Sequence, residues 1–406
     1  MQRLSLMVAV VFFAGLSVLA AETKPAETKP VTGTAEAKVD KTLDKYTGSE
    51  HPHGFYLDAG VSALLFNPPE RKGGPLYDDD DPATHAMKNL TSFEPDSLTV
   101  YPRLALGYEF AKDATPSLLG EDLRVEFSSA FFQTDASDTK GLVVPLRHPG
   151  GTFVNALFYG PNGTGSVAIL NFNPAGTPLI PGVPIHFRAE YDQLDLNLGL
   201  RTEYTLVKDT LAISPYVGVT RQTLDQNLAL STQRPQALPV IGVPFPRYKA
   251  SEDFETEAWG GTFGLDLKVK IIKRLSFTVG GTVSPLWAHT QMRLSYFGDA
   301  VSFSGGGPQD HVGLVSGLKD DEDKFTFRAG AKASFSYEVN KWLVVSANGG
   351  LDYWDYVPQV KYPNYLPTES VILGFPGYVA KSPTLSHGHM LNWMGGVNFT
   401  VRFGCP

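Results

Sequence analysis

The chain has 406 residues and a net charge of −8 at pH 7, and it is 42% hydrophobic, 12% aromatic and 19% charged. Its 40 glycines and 30 prolines favour strands and loops over a helical protein. The acidic balance and the lack of a basic patch interleaved with aromatic residues exclude nucleic acid as an expected partner. The single cysteine, Cys405, excludes an internal disulfide.

The first twenty residues have the pattern of a secretory signal peptide. Arg3 precedes an apolar stretch from Leu4 to Leu19, and small residues follow it from Ala20. A basic start, a short apolar core and a small-residue exit are typical of a cleaved export signal. We therefore predict a signal peptide at residues 1–20, and no cysteine follows it to carry a lipid anchor.

Residues 21–50 form a separate region that begins with the tandem repeat AETKPAETKP. Because this region has almost no large apolar side chains, it cannot bury enough surface to offset chain entropy. We predict a disordered periplasmic leader. After residue 20, no window reaches the roughly 18 to 20 apolar residues that a membrane helix requires.

Residues 51–406 contain amphipathic segments with an apolar residue at every second position. In residues 100–110, for example, Leu104 falls on the apolar face, while Arg103 and Glu109 fall on the other. A membrane protein without apolar helices must be a closed barrel, because only these two structures pair every backbone group in lipid. We predict an all-β, closed, antiparallel up-and-down transmembrane barrel. Ten strands are expected, with eight or twelve as alternatives: 54–66, 98–111, 121–134, 186–206, 210–228, 253–271, 275–296, 324–338, 342–360 and 387–403.

The connections between these segments alternate in length. Five are long, at 67–97, 136–185, 229–252, 297–323 and 361–386, and three are very short, at 207–209, 272–274 and 339–341. Long extracellular loops and short periplasmic turns are typical of outer-membrane barrels. The second long loop is too apolar for a solvated tether. Three alternatives remain: a hairpin around 160–163, a loop that folds into the barrel mouth as a constriction, or a surface that contacts lipid or a neighbouring subunit.

The two faces of the predicted strands indicate lipid outside and a charged interior. Aromatic residues such as Trp259, Trp287, Tyr337, Trp342 and Tyr353 are expected at the membrane interfaces. Eight cations and eight anions share the opposite parity and are the candidate lumen-lining residues: Asp58, Arg103, Glu109, Arg124, Glu126, Asp195, Arg201, Glu203, Asp266, Lys268, Lys270, Arg328, Lys332, Glu338, Asp352 and Arg402. A barrel of ten strands is narrow, so paired charges should cross-link much of this lumen.

Several segments occur in an order that resembles the Legionella-type major outer-membrane protein family. They are GFYLDAGVSALLF at 54–66, YPRLALGYEF at 101–110, AEYDQLDLNLGLR at 189–201, LAISPYVGVTRQTLDQ at 211–226 and WGGTFGLDLKV at 259–269, with LVVSANGGLDYWDYVPQV and the closing WMGGVNFTVRF similar in character. The resemblance covers most of the chain after residue 50. It implies an outer-membrane barrel with a porin-like or surface role and supplies no catalytic residues.

Other local features do not support a metal-binding or catalytic site. The acidic run Asp78 to Asp81 lacks the spacing of a calcium loop, and the histidine pairs at 51/53 and 387/389 lack a third ligand. Ser386 and His387 are adjacent on a predicted strand and so point to opposite faces, which does not suit a nucleophile and its base. We predict no catalytic, cofactor-binding or metal-binding residues and no enzyme activity.

The leading functional hypothesis is an outer-membrane barrel of a Gram-negative envelope with passive, narrow-pore activity for small solutes or ions. A non-conducting structural or adhesive surface barrel is the alternative, and a barrel enzyme that acts on peptides or lipids is a lesser one. Outer-membrane lipid and lipopolysaccharide are the expected partners. The sequence identifies neither the solute nor the oligomeric state.

Overall fold

The computed structural model describes residues 53–72, 76–81, 86–89, 92–111, 122–142, 151–159, 165–174, 183–208, 210–232, 248–304, 307–362, 371–372, 375–376 and 383–404. The predicted signal peptide at 1–20, the predicted leader at 21–50 and Cys405 lie outside the described residues. Within the described ranges, no helix is long and apolar enough to cross a membrane.

Ten antiparallel strands in the described part of the chain form one closed barrel. They are β1 (Gly54–Phe66), β2 (Ser97–Glu109), β3 (Arg124–Leu142), β4 (Val183–Arg201), β5 (Leu211–Thr232), β6 (Tyr248–Ile272), β7 (Leu275–Ser304), β8 (Gly307–Asn340), β9 (Leu343–Lys361) and β10 (Thr384–Gly404). Each strand pairs with its sequence neighbours, and β10 returns to β1 with Phe403 opposite Phe55. The predicted fold and strand count are confirmed.

The connections confirm an up-and-down topology with its short turns at one end. β6 and β7 are joined at residues 273–274, and β8 and β9 at residues 341–342. The short strand Tyr204–Val207 continues the line of β4 and pairs with β5, and the Thr210 N–H donates to the Val207 carbonyl at 3.0 Å, where the third short turn was predicted at 207–209. By the usual orientation of such barrels this end faces the periplasm, and both barrel termini lie there.

The strands extend far beyond the thickness of a bilayer at the opposite end. β7 and β8 contain 30 and 34 residues, whereas a tilted strand crosses a membrane in roughly 9–11. The prediction of a long loop at 297–323 is therefore wrong, because β7 runs to Ser304 and β8 begins at Gly307. The parts of the strands that extend beyond the membrane carry polar residues on their outer face. Their amino-acid composition is therefore similar to that of a loop.

Shorter strands stand among the connections at the extracellular end. One four-stranded sheet has the order Ala86–Asn89, Leu76–Asp81, Gly151–Tyr159 and Gly165–Pro174. The last two strands pair antiparallel from Tyr159 opposite Gly165 onward, which favours the hairpin among the three alternatives left open for the second long loop; residues 160–164 lie outside the described residues. The first and second long connections are thus joined by backbone pairing in a sheet separate from the barrel sheet.

The outer surface changes character along each strand. Between the turns and the level of Trp259 and Trp287 it is apolar, and side chains such as Leu104, Phe263 and Phe399 are about half exposed. Above the two tryptophans the outward positions are polar. The tryptophans lie well inside the long strands, at the upper edge of the apolar band, where their amphipathic rings suit a lipid interface.

A cation placed in the apolar band should destabilise the barrel, whereas the same cation above it should not. We expect Leu265→Arg to lower the free energy of unfolding by roughly 2–4 kcal/mol, because the guanidinium would face hydrocarbon. The control Gln291→Arg, outward and exposed above Trp287, should change it little. Guanidinium titration of protein refolded in lipid vesicles measures both. Equal losses for the two variants would contradict the assigned membrane position.

Candidate functional site in the barrel interior

The inward side chains in the half of the barrel near the short turns enclose a polar cavity of about 440 Å³. Its wall includes all but one of the charged residues predicted to line the lumen: Asp58, Arg103, Glu109, Arg124, Glu126, Asp195, Arg201, Glu203, Asp266, Lys268, Arg328, Lys332, Glu338, Asp352 and Arg402. The exception is Lys270, which is exposed next to the turn at 273–274. The alternation of side chains along each strand therefore predicted most of the charged residues that line this cavity.

Some lining residues fall outside the predicted set, which considered charged side chains on strands only. Tyr56 and Tyr101 line the cavity, and they share the parity of the predicted Asp58 and Arg103, which is the signal that could have found them. Asp122 also lines the cavity; it lies in the predicted strand 121–134 at the parity of Arg124 and Glu126, so the same signal could have found it.

Arg328 connects opposite sides of the barrel. Its Nη2 lies 2.9 Å from Asp195 Oδ2 on β4, and its Nε donates to Asp352 Oδ1 on the adjacent β9 at 2.6 Å. β8 and β4 are separated by three strands in one direction and five in the other. Gln193 Nε2 donates to the second Asp195 oxygen at 2.9 Å. These contacts place a buried, hydrogen-bonded ion triad across the lumen.

Asp266 on β6 organises a second group of ion pairs. Its Oδ2 accepts from Arg201 Nη1 of β4 at 2.6 Å and lies 3.0 Å from Lys332 Nζ of β8. Nearer the turns, Lys268 Nζ lies 3.3 Å from Glu203 Oε2. The interior charges thus bind one another across intervening strands, and the cavity between them is small.

Tyr56 of β1 adds a neutral contact to this network. Its hydroxyl donates to Glu126 Oε2 of β3 at 2.7 Å, reaching across β2. The ring passes over Gly107 of β2, where an added Cβ would lie 2.3 Å from the tyrosine ring. Only glycine leaves room there, so the backbone of β2 and the reach of Tyr56 depend on each other.

Toward the extracellular end, one continuous cluster of apolar side chains fills the barrel, and we call it the apolar layer. Trp354, Phe254 and Met292 in this layer are at most 1% exposed. Eight strands supply buried members of the layer, with Leu64, Phe132, Tyr191, Leu224, Phe254, Met292, Trp354 and Met390 as one example each, and the partly buried Tyr101 of β2 and Leu318 of β8 pack against it. The layer therefore crosses the whole lumen.

Arg71, from the connection between β1 and β2, is anchored within this layer. Its side chain is 7% exposed and lies 3.4 Å from Glu252 Oε2. The guanidinium also donates to Gln226 Oε1 at 3.3 Å and lies over the ring of Phe254 at 5.3 Å. Tyr362 donates to the other Glu252 oxygen at 2.8 Å. A buried cation thus ties the first connection to the barrel interior.

The sequence prediction missed the apolar layer because the two faces of each strand exchange polarity partway along it. In β4, Leu198 faces lipid and Asp195 faces the cavity, but nearer the extracellular end Tyr191 is buried inside and Arg188 is exposed outside. The run from Phe187 to Tyr191, with apolar residues at odd positions and charges between them, was the available signal.

No protein-family model and no curated protein matches the chain. Among solved structures it is similar to the outer-membrane protease OmpT from Escherichia coli, with 10% identity, a TM-score of 0.37 and coverage of 88% of this chain and 100% of that one. It is also similar to the translocator domain of the autotransporter NalP from Neisseria meningitidis (10%, 0.31, 91% and 97%). A Pseudomonas aeruginosa FadL homologue gives 10%, 0.24, 86% and 90%. At these scores the similarities carry no argument about function.

The closed sheet, the lipid-facing apolar band and the short turns at one end define the class of protein. It is an outer-membrane β-barrel. Its distinguishing feature is an interior in two tiers, an ion-paired cavity near the periplasm and an apolar layer above it.

Removing Arg328 should destabilise the barrel more than removing an exposed arginine. We expect Arg328→Met to lower the free energy of unfolding by roughly 3–5 kcal/mol, because Asp195 and Asp352 would be left buried without their cation. In the control, Arg293→Met removes an ion pair whose two side chains are about half exposed and should cost less than about 1 kcal/mol. Denaturant titration in vesicles compares them, and a near-neutral Arg328→Met would show that the triad is not a structural contact.

Proposed function

We propose that this outer-membrane barrel is closed to the passive diffusion of ions and hydrated solutes, and that it acts as a structural or adhesive barrel at the surface of a Gram-negative cell. The apolar layer carries this proposal, because eight strands supply its buried members, β2 and β8 pack against it, and its central side chains are fully buried. This function differs from the narrow pore that the balanced charge of the lumen favours.

Hydration decides whether an ion can cross the apolar layer. An ion that crosses a polar channel either keeps its hydration shell or exchanges that shell for protein oxygens. A hydrophobic constriction blocks conduction because it excludes water. The side chains of Trp354, Phe254 and Tyr191 are at most 1% exposed and leave no open path for a hydrated ion between them. Arg71 adds a fixed positive charge that is already paired with Glu252.

The extracellular part of the molecule supports the surface role. The barrel wall continues well above the tryptophan level, and the first two long connections form a four-stranded sheet of their own. This extension supplies a β-sheet base for exposed loops. Binding residues occur disproportionately on loops held by a rigid scaffold.

The expected lipid partners fit a cluster of polar and aromatic residues on β5 and β6 at the upper edge of the apolar band. Glu257 accepts from Arg221 Nε and from Trp259 Nε1, both at 2.8 Å, and the Arg221 guanidinium lies over the Trp259 ring. A charged and aromatic cluster at this height suits the headgroups of outer-leaflet lipid and lipopolysaccharide. This contact would fix the height of the barrel in the membrane.

A gated narrow pore is the second candidate, and one observation favours it. The periplasmic cavity is polar, and its wall carries charges of both signs, as a conducting path for small ions requires. Conduction would need the apolar layer to open, so this candidate predicts activity only in a second conformation.

Recordings in planar bilayers separate the two candidates. We expect the purified protein to give no current steps above background over a range of voltages, because the apolar layer excludes hydrated ions. The charge-reversed variant with Arg103→Glu and Arg124→Glu should be equally silent. Insertion is checked independently by protection of the barrel from added protease. Current steps in the unmodified protein, with selectivity shifted toward cations in the variant, would replace the closed barrel with the pore.

A further inference from the structure

The wall between β2 and β3 is only partly closed by backbone pairing. The ladder runs from Glu109 opposite Arg124 to Arg103 opposite Ala130 and stops there. Above it, all residues of 97–102 and 131–142 are described. The first of these segments pairs with β1 and the second with β4, but no ladder pair joins them to each other. We call this gap the β2–β3 seam, and Pro102, which lacks an N–H, stands at its lower end.

Two side-chain hydrogen bonds hold the seam instead. Thr99 Oγ1 donates to the Gln133 carbonyl at 2.9 Å, and Thr134 Oγ1 donates to Ser97 Oγ at 2.7 Å. A similar interruption separates β8 and β9 above Arg328 and Trp354. There the Lys324 side chain crosses the gap, lies over the Tyr356 ring and contacts His387, so that gap is filled.

A groove of about 540 Å³ lies on the outer face at the lower end of the seam. Val61, Leu104, Phe131 and Phe399 line it and are each about half exposed, so the groove belongs to the lipid-facing band. Arg103, Ser129 and Ala130 line this groove and the inner polar cavity alike. These three residues therefore separate the lipid-facing groove from the inner cavity at this point.

A second cavity of about 310 Å³ lies at the upper end of the seam, between Ser97 and Leu98 on one side and Asp135 and Ala136 on the other. Its inner wall is Phe187, a member of the apolar layer. Behind the middle of the seam, Phe132 packs against Tyr101 and Phe66, with ring centroids 6.0 and 5.1 Å apart. An aromatic wall thus stands directly inside the gap.

We propose that the β2–β3 seam is a lateral portal through which a neutral, long-chain apolar molecule such as a fatty alcohol passes from the outer leaflet to the apolar layer. The groove meets acyl chains in the membrane, and the aromatic wall continues the apolar path inward. The upper cavity is lined by Glu94, Asp96, Asp135 and Asp138 and by no lysine or arginine among the described residues. Four carboxylates repel an anionic head group, and a cationic one would bring its charge into the apolar layer at a large cost in free energy, so the ligand is neutral.

The portal goes beyond the closed barrel of the proposed function and can fail independently of it. A barrel that conducts no ions can still admit an apolar molecule sideways, and a barrel that conducts can lack a lateral portal. The conductance recordings therefore do not test the portal. Its test is the position that an apolar probe reaches inside the wall.

The probe is a stearyl alcohol with a diazirine near its methyl end, photolysed in vesicles that contain the refolded protein. The background carries Cys405→Ser. In this background S97C and T134C place a disulfide across the seam, where the two native oxygens are 2.7 Å apart. A matched control, T256C with T290C, locks a closed β6–β7 pair whose hydroxyl oxygens are 3.0 Å apart. Labelled residues are identified by mass spectrometry of peptides.

We expect label on the inward residues Tyr101, Phe132 and Phe187 in the reduced protein. Oxidising the seam pair should lower that label at least tenfold, whereas oxidising the control pair should leave it unchanged. Lipid-facing Phe399 should be labelled in every sample, because the probe is in the bilayer throughout. Absence of inward label in the reduced protein, or equal inward label in the locked protein, would overturn the portal.

Two further measurements keep the proposal testable if the locked variant does not fold. Thr99→Val with Thr134→Val removes both closing hydrogen bonds at nearly constant volume and should raise inward labelling several-fold; an unchanged level would contradict the seam as the route. The matching stearic acid probe should label the inward residues several-fold less than the alcohol at neutral pH. Equal labelling by the acid would overturn the assigned ligand class.

Discussion

Inside a bilayer each backbone N–H and C=O of a strand must find its partner in another strand, because lipid offers none. The pairing of β10 with β1 closes the sheet and satisfies this requirement except along the β2–β3 seam, and the other features of the molecule depend on that closure. A closed sheet has only an inside and an outside, so each side chain is assigned to one or the other. It is also narrow at ten strands, so whatever points inward from opposite walls must meet.

The two tiers of the interior follow from what surrounds the wall at each height. Where lipid surrounds the barrel, the polar side chains point into the lumen, and Asp266 and Arg328 each form ion pairs there. Where the outside is water, the outer face is polar and the inside packs like the core of a soluble protein, around Phe254 and Trp354. The sheet is continuous, and only its surroundings change. The β2–β3 seam lies where these two regimes meet.

The sequence predicted the strands of the barrel wall but few of the side chains that fill the upper half of the lumen. Alternation identified all ten strands and placed Arg103, Asp195 and Asp266 inside, because period two is a local property of a strand. The reversal of polarity above Trp259 could not be recognised without knowing how far the strands rise from the membrane. Contacts such as Arg328 with Asp195 and the position of Arg71 depend on which strands face each other, and local spacing does not contain that information.

The reversal of polarity also gives the two ends of the same strands different thermal behaviour. Unfolding the extracellular end transfers buried aromatic and aliphatic surface to water, which raises the heat capacity, whereas exposing polar groups at the periplasmic end lowers it. Apolar stabilisation weakens on cooling. Cooling should therefore weaken the packing of the apolar layer more than the ion pairs of the periplasmic cavity, so the two ends of one strand respond differently to temperature.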